Sequence, residues 1–206
     1  MKRVLITGGT GLIGKRLSNL LTQKGYAVRL LSRTENLKAL YPTFGWDLKS
    51  MTINESALDG VDAIINLAGA GIADKRWTNK RKKEIIDSRV LSNQLLYQYL
   101  SKMKVNKPKV FVACSAIGYY GSCGSEILTE KRMKGNDFMA DVCAKWEQSA
   151  LPIKKLGIRI PIVRVGVVLS TQGGAMVELN KTAPFRLMGY FGLGPRYLSW
   201  IHIDDI

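Results

Sequence analysis

The sequence predicts an α/β fold, a doubly wound parallel sheet covered by helices on both faces. Three observations carry that expectation. A short apolar run, Val4-Leu5-Ile6, passes through Thr7 into a glycine turn and at once into a helix-like stretch, Leu12 to Lys24. Strand-like and helix-like segments then alternate along the chain, the pattern that builds a parallel sheet with both faces covered. Asp62 to Ala68 is a near-continuous apolar run closed by Gly69, as expected of a strand buried on both sides.

The elements follow in order. After the first helix and the Gly25 break, Val28 to Ser32 reads as a second strand. Phe44-Gly45-Trp46, ending at Asp47-Leu48, is a weaker third unit. A long helix is expected over Asn79 to Met103, with Ile86, Val90, Leu96 and Leu100 along an apolar side. Val110 to Ser115 is the next buried strand. Asp137 to Lys155 reads as an amphipathic helix through Phe138, Val142 and Trp146, and Ile160 to Leu169 as one further strand with Pro161 at its start. Residues 1–170 then form a dinucleotide-binding domain of Rossmann-like type, and residues 171–206 begin a substrate-side region.

The glycine turn carries the chemistry. Gly9, Gly11 and Gly14 satisfy G-x-G-x-x-G, and Thr7, Gly8, Gly11 and Gly14 satisfy T-G-x-x-G-x-x-G. Such glycines allow a tight turn, close backbone approach to a pyrophosphate and close contact between helix and strand. The anion sits at the helix N-terminus, where free N–H groups and the dipole favour negative charge. Thr7, Gly8, Gly9, Thr10, Gly11, Leu12, Ile13 and Gly14 are therefore candidate cofactor contacts. Ligands of such folds gather at the C-terminal ends of strands, which adds Ser32-Arg33, Asp47-Leu48, Leu67-Ala68-Gly69 and Ser115. The second strand ends in Ser32-Arg33-Thr34, with no acid until Glu35. An acid there would accept the ribose hydroxyls of NAD, whereas an arginine pairs with a 2′-phosphate, so the sequence favours NADP over NAD. Asp47 has the chemistry to accept a hydrogen bond from the adenine amino group.

Composition bounds the remaining classes. The 206 residues suit one α/β domain, or one domain and part of a second. No apolar run approaches a membrane span, so no membrane partner is expected, and the three residues after Lys2-Arg3 are too few for a signal peptide. Cys114, Cys123 and Cys143 are odd in number and lack metal-ligand spacing, so reduced thiols in a cytoplasm are expected and no metal. Net charge is +15, from 31 basic and 16 acidic residues. The densest basic patch runs from Lys75 to Lys83 around Trp77. It could stack on a nucleic acid, but a solvated helix start explains it more simply. The other lysines are scattered along the sequence, with no repeated basic stripe.

With these motifs the chain resembles the extended short-chain dehydrogenase/reductase superfamily. The resemblance rests on residues 7–14, Asn66-Leu67-Ala68-Gly69, and Cys114-Ser115-Ala116 closing a strand. More closely it is similar to a bacterial epimerase family of atypical members. That likeness is carried by Ile72-Ala73-Asp74-Lys75-Arg76-Trp77, Asp87-Ser88-Arg89, Ser115 to Gly121, and Trp200 to Asp205. It assigns the basic patch to the family pattern rather than to nucleic acid. It also implies that the family pattern continues past Ile206, leaving the substrate-side lobe incomplete.

The resemblance has one gap. Active superfamily members carry Tyr-x-x-x-Lys on the helix after the serine strand, where a lysine-assisted tyrosine exchanges a proton with substrate. Aligning on Glu147 puts Met139 and Cys143 at those positions, and neither does that chemistry. Ser115 at the strand end, with Tyr119 and Tyr120 in the following loop, are the substitute catalytic candidates. Arg164 and His202, the single histidine, are candidates for the substrate side, and Gly192-Leu193-Gly194 for a loop over the cleft. No nucleophile elbow surrounds Ser115, which leaves little for a Ser115–His202 hydrolase. Three readings stay open: an NADP-binding oxidoreductase or nucleotide-sugar epimerase-like enzyme acting on an unknown small molecule, a non-catalytic NADP sensor, and a nucleic-acid-associated protein of the same fold.

Overall fold

The computed structural model describes residues 1–180 and 197–206; Gly192-Leu193-Gly194 lies outside them. The main elements are β1 (Arg3–Thr7), α1 (Leu12–Gln23), β2 (Ala27–Ser32), β3 (Thr43–Asp47), β4 (Thr52–Ile53), β5 (Ala63–Asn66), α2 (Asn79–Lys102), β6 (Val110–Ala116), α3 (Phe138–Ala150), β7 (Ile162–Val165), β8 (Val167–Leu169), α4 (Ala175–Asn180) and β9 (Trp200–His202). Seven strands form one sheet in the order β4-β3-β2-β1-β5-β6-β7. All its pairings are parallel except the short β3–β4 edge. Strand order reverses between β1 and β5, which makes the crevice above them the topological switch point of a Rossmann-like sheet.

Strand alternation divides the core into two layers. Val4 and Ile6 join Val28 and Leu30 on one face, covered by Leu17 and Leu21 of α1. Leu5 points to the other face and packs with Leu31, Ile64 and Phe111 against Leu95, Leu96 and Leu100 of α2. In α2 the fully buried apolar residues include Ile85 and Leu95, whereas Ile86 and Val90 are half-buried. Side-chain caps set the helix starts: Thr78 accepts the Arg81 N–H at 3.2 Å, and Asp137 accepts the Ala140 N–H at 2.8 Å.

Two expectations are corrected. The Ile160–Leu169 strand divides at Gly166, after which β8 leaves the main sheet to pair with β9. A Cβ on Gly166 would stand 3.0 Å from the Ser199 carbonyl oxygen, so the crossing chain takes the place of a side chain. The Asp137–Lys155 helix is α-helical only to Ala150 and then tightens into a 3-10 segment, Leu151–Leu156. Pro152 has no N–H with which to continue the ladder. The two-residue β4, the 3-10 turn Glu55–Leu58 and α4 are too short to leave a period in the sequence. Among the described residues, no helix is long and apolar enough to cross a membrane.

Candidate functional site

The glycine turn is held by contacts that leave its outer rim open. Gly8 has φ +65°, a left-handed conformation that disfavours side chains, and a Cβ there would meet the Leu67 carbonyl oxygen at 2.9 Å. A Cβ on Gly14 would stand 2.4 Å from the Gly8 oxygen, so α1 presses directly on the turn. Gly9 is buried and packs against Leu30. Gly11 differs. It is exposed, it is the N-cap of α1 with no side-chain cap, and its Cβ position touches only the Gly8 oxygen at 3.3 Å. The first helical bond is Lys15 N–H to Gly11 oxygen at 3.0 Å, which leaves the N–H groups of Leu12, Ile13 and Gly14 without helical acceptors. A cleft of about 290 Å³ opens here, lined by Gly8, Gly11, Leu12, Leu67, Val168 and Gly174 among others.

Thr7 is fully buried beneath this rim and ties two strand ends together. Its hydroxyl donates to Asn66 Oδ1 and accepts the Ala68 N–H at 3.1 Å. Asn66 donates onward to Ser92 Oγ at 3.1 Å and Asn93 Oδ1 at 2.6 Å, and Asn93 reaches the Trp146 carbonyl and Ser149. Gly69, at the end of the same segment, is exposed beside Arg89: a Cβ there would stand 2.9 Å from its guanidinium carbon.

At the β2 end Ser32 is half-buried and Arg33 exposed. Glu35, the nearest acid in sequence, is engaged beside this strand end: Oε2 accepts the Asn54 side-chain N–H at 2.7 Å and the Gly45 N–H at 2.9 Å, bonds that hold its carboxyl below the usual range. Asp47 caps its own turn by accepting the Lys49 N–H at 2.8 Å and the Ser50 hydroxyl at 3.0 Å, which also lowers its carboxyl. Leu48 packs against the core.

Ser115 closes β6 in a second, mostly buried constellation. Its hydroxyl donates to Glu147 Oε1 at 2.6 Å. Arg164 grips the same carboxylate bidentately, Nε to Oε1 and a terminal nitrogen to Oε2, each at 2.8 Å. The other terminal nitrogen donates to Tyr120 Oη at 3.0 Å, and the guanidinium lies 3.6 Å from the Tyr119 ring centroid. The anion that Arg164, a substrate-side candidate, holds in this structure is Glu147. His202 is half-exposed and faces Asp204, whose N–H it accepts at 3.3 Å, while Asp204 pairs with Arg16. It is neither a core residue nor joined to Ser115.

The sequence profile of the NAD dependent epimerase/dehydratase family matches residues 4–139. An epimerase family protein of Staphylococcus saprophyticus is 37 % identical over the whole chain. The chain belongs to the NAD dependent epimerase/dehydratase family. A chloroplastic epimerase family protein of Arabidopsis thaliana is 34 % identical over 98 % of the chain. The chain spans 68 % of the staphylococcal relative and 59 % of the plant one. Among solved structures, a nucleoside-diphosphate sugar epimerase from Corynebacterium glutamicum superposes with TM-score 0.82 at 35 % identity, covering 99 % of this chain and 41 % of that one. A human epimerase family protein solved with NADPH gives TM-score 0.81 at 32 % identity, covering 98 % of this chain and 66 % of its own.

In this epimerase-family chain the helix that would carry Tyr-x-x-x-Lys presents Met139 and Cys143 to Gly118, 3.4 and 3.7 Å from a Cβ built there. Burial pushes the Cys143 thiol up, and pushes that of Cys114 up to about 11. The basic patch is partly internal. Arg81 is buried against Asp74 and Glu84, Trp77 donates to the Ile72 carbonyl at 2.7 Å, and Lys82 lies over Phe138. Sequence reasoning missed Asn93 and Glu147 as site residues. Each is a polar residue among the apolar positions of a helix, and that misplacement was the available signal.

Proposed function

We propose that the chain binds NADP and acts as an oxidoreductase or nucleotide-sugar epimerase-like enzyme of an atypical kind. The observation that carries the reading is the side-chain-free N-cap of α1 over the β1–β5 crevice, with Arg33 at the neighbouring strand end. The donor set fits the group: three N–H groups of the first turn for a diphosphate, and a guanidinium for a 2′-phosphate. Glu35 is engaged with Gly45 and Asn54, so the ribose edge is left to Arg33. The NADPH carried by the human relative supports the same preference. When bound, NADP supplies the hydride acceptor or donor.

The chain's own residues would bind, orient and move the proton. Tyr120 accepts from Arg164 through its oxygen, which leaves its O–H free to donate. Ser115 and Tyr119 would orient a substrate oxygen, and Glu147 with Arg164 would hold all three in place. A second reading, a non-catalytic NADP sensor, is favoured by Met139 and Cys143 at the usual acid–base positions. Calorimetric titration with NADP(H) and NAD(H) is the deciding test. Arg33→Ala should weaken NADP by roughly 10-fold and leave NAD almost unchanged, the effect of one charge-assisted contact. Equal loss for both would remove Arg33 from the site. Tight NADPH binding with hydride exchange lost in Tyr120→Phe supports the enzyme; tight binding with no exchange under any substrate supports the sensor.

A further inference from the structure

Five of the lysines that look scattered along the sequence are gathered by the fold, with Arg159, at one end of the molecule. In a parallel α/β sheet, strand starts and helix ends share the end opposite the ligand crevice. There the segment from Met103 to Lys109, between α2 and β6, lies beside the segment from Leu151 to Arg159 that follows α3. The Arg159 N–H donates to the Lys109 carbonyl at 3.1 Å, and the Phe111 N–H donates back to the Arg159 carbonyl at 2.9 Å. Together the two segments carry Lys104, Lys107, Lys109, Lys154, Lys155 and Arg159, and no acidic residue. Five of the six are exposed and Lys107 is half-buried. None makes an ion pair among the described residues. The neighbouring acid, Asp62 at the start of β5, has a carboxylate oxygen that accepts the Arg3 N–H at 2.8 Å.

Helix dipoles account for Lys154 and Lys155 in the last turn of their segment, but not for the cations on the 104–109 loop or for Arg159. Val105 separates the partners. It stands 72 % exposed at a turn between Lys104 and Lys107, and Asn106 takes the left-handed φ of 58° that forms that turn. Leu151 is half-exposed on the adjoining segment. The exposed aromatics Trp77, Tyr197 and Trp200 belong to other segments, so these two offer no ring on which a base could stack. An apolar tip ringed by unpaired cations matches a lipid headgroup layer, where lysines meet lipid phosphates and the apolar side chain enters the acyl boundary.

We propose that this end of the molecule is a docking surface for anionic phospholipid membranes, independent of the dinucleotide cleft. The test is sedimentation of the full chain with vesicles of phosphatidylcholine, with and without roughly 30 % phosphatidylserine, at about 0.05 M and about 0.5 M salt. Binding is expected to the anionic vesicles alone, and to be lost at the higher salt. At roughly fivefold per cation, Lys104→Glu/Lys107→Glu/Lys109→Glu should weaken it by about 100-fold or more. Val105→Gln should weaken it with the charges intact. Lys75→Glu/Arg76→Glu/Lys80→Glu, on the ligand-crevice side, should leave it unchanged. An unchanged far-UV spectrum and melting temperature establish that the variants are folded. No anionic-vesicle binding at low salt overturns the proposal, as does equal loss in the two triple variants. Tighter binding of a duplex RNA through the same lysines would reassign the surface to nucleic acid and equally overturn it.

Discussion

Gly11→Asp should abolish dinucleotide binding without unfolding the protein. The residue is exposed at the N-cap of α1, and a Cβ there meets only the Gly8 oxygen at 3.3 Å, which a small shift relieves. Asp is among the preferred N-cap residues, so the helix should be held or slightly stabilised. The same carboxylate would face the diphosphate at the site of its N–H donors. Two like charges about 4 Å apart near a protein surface cost roughly 4 kcal/mol, enough for an affinity loss of about 100-fold or more. Thermal unfolding and calorimetry on one sample separate the two effects. Gly14→Ala gives the contrast: its Cβ would lie 2.4 Å from the Gly8 oxygen, backbone that cannot swing aside. It should lose about 3 kcal/mol of stability as an overpacked site. If Gly11→Asp binds NADPH as tightly as the parent, the diphosphate does not lie on α1 and the cofactor reading fails at its root.

The fold was legible where sequence patterns are local. Val4-Leu5-Ile6 followed by four glycines among residues 8–14 names a strand, a turn and a helix in the order the structure has them. The apolar run ending at Ala68 names a buried strand, and the structure sets that strand, β5, beside β1 at the switch point. Tertiary effects were hidden. Nothing near Gly166 in sequence says that Ser199 will cross it, because that contact joins segments far apart along the chain. The site divides in the same way. The glycine rim follows from one continuous motif, whereas the clamp on Ser115 is assembled from β6, α3 and β7. Arg164 read as a substrate-side residue because its partner, Glu147, lies on another element and nothing in the sequence pairs the two. The charge pattern is likewise spatial: Lys109 and Arg159 are 50 positions apart in number and joined by a backbone hydrogen bond.

Glu147→Ala should be the most destabilising single change in the Ser115 constellation, and its double variant should recover much of the loss. Side-chain exposure is 18 % for Arg164 and 11 % for Glu147, so solvent screens the pair weakly. Removing the carboxylate strands a mostly buried guanidinium and deprives the Ser115 hydroxyl of its acceptor. Breaking one side of such a pair costs about 3–5 kcal/mol, whereas replacing both partners by apolar residues of similar volume is often near neutral. For a chain of this size the single variant should therefore melt roughly 10 °C lower, at about 2–4 °C per kcal/mol. Glu147→Leu/Arg164→Met should return most of that, and the double-mutant cycle reads the coupling directly. Function should divide the other way. The stable double variant has no cation to hold Tyr120 Oη and no acceptor for Ser115, so hydride exchange should stay lost while NADP affinity, set at the α1 end, is retained. A double variant that exchanges hydride at the parent rate would make the clamp purely structural, and the proton would have to come from a group outside it.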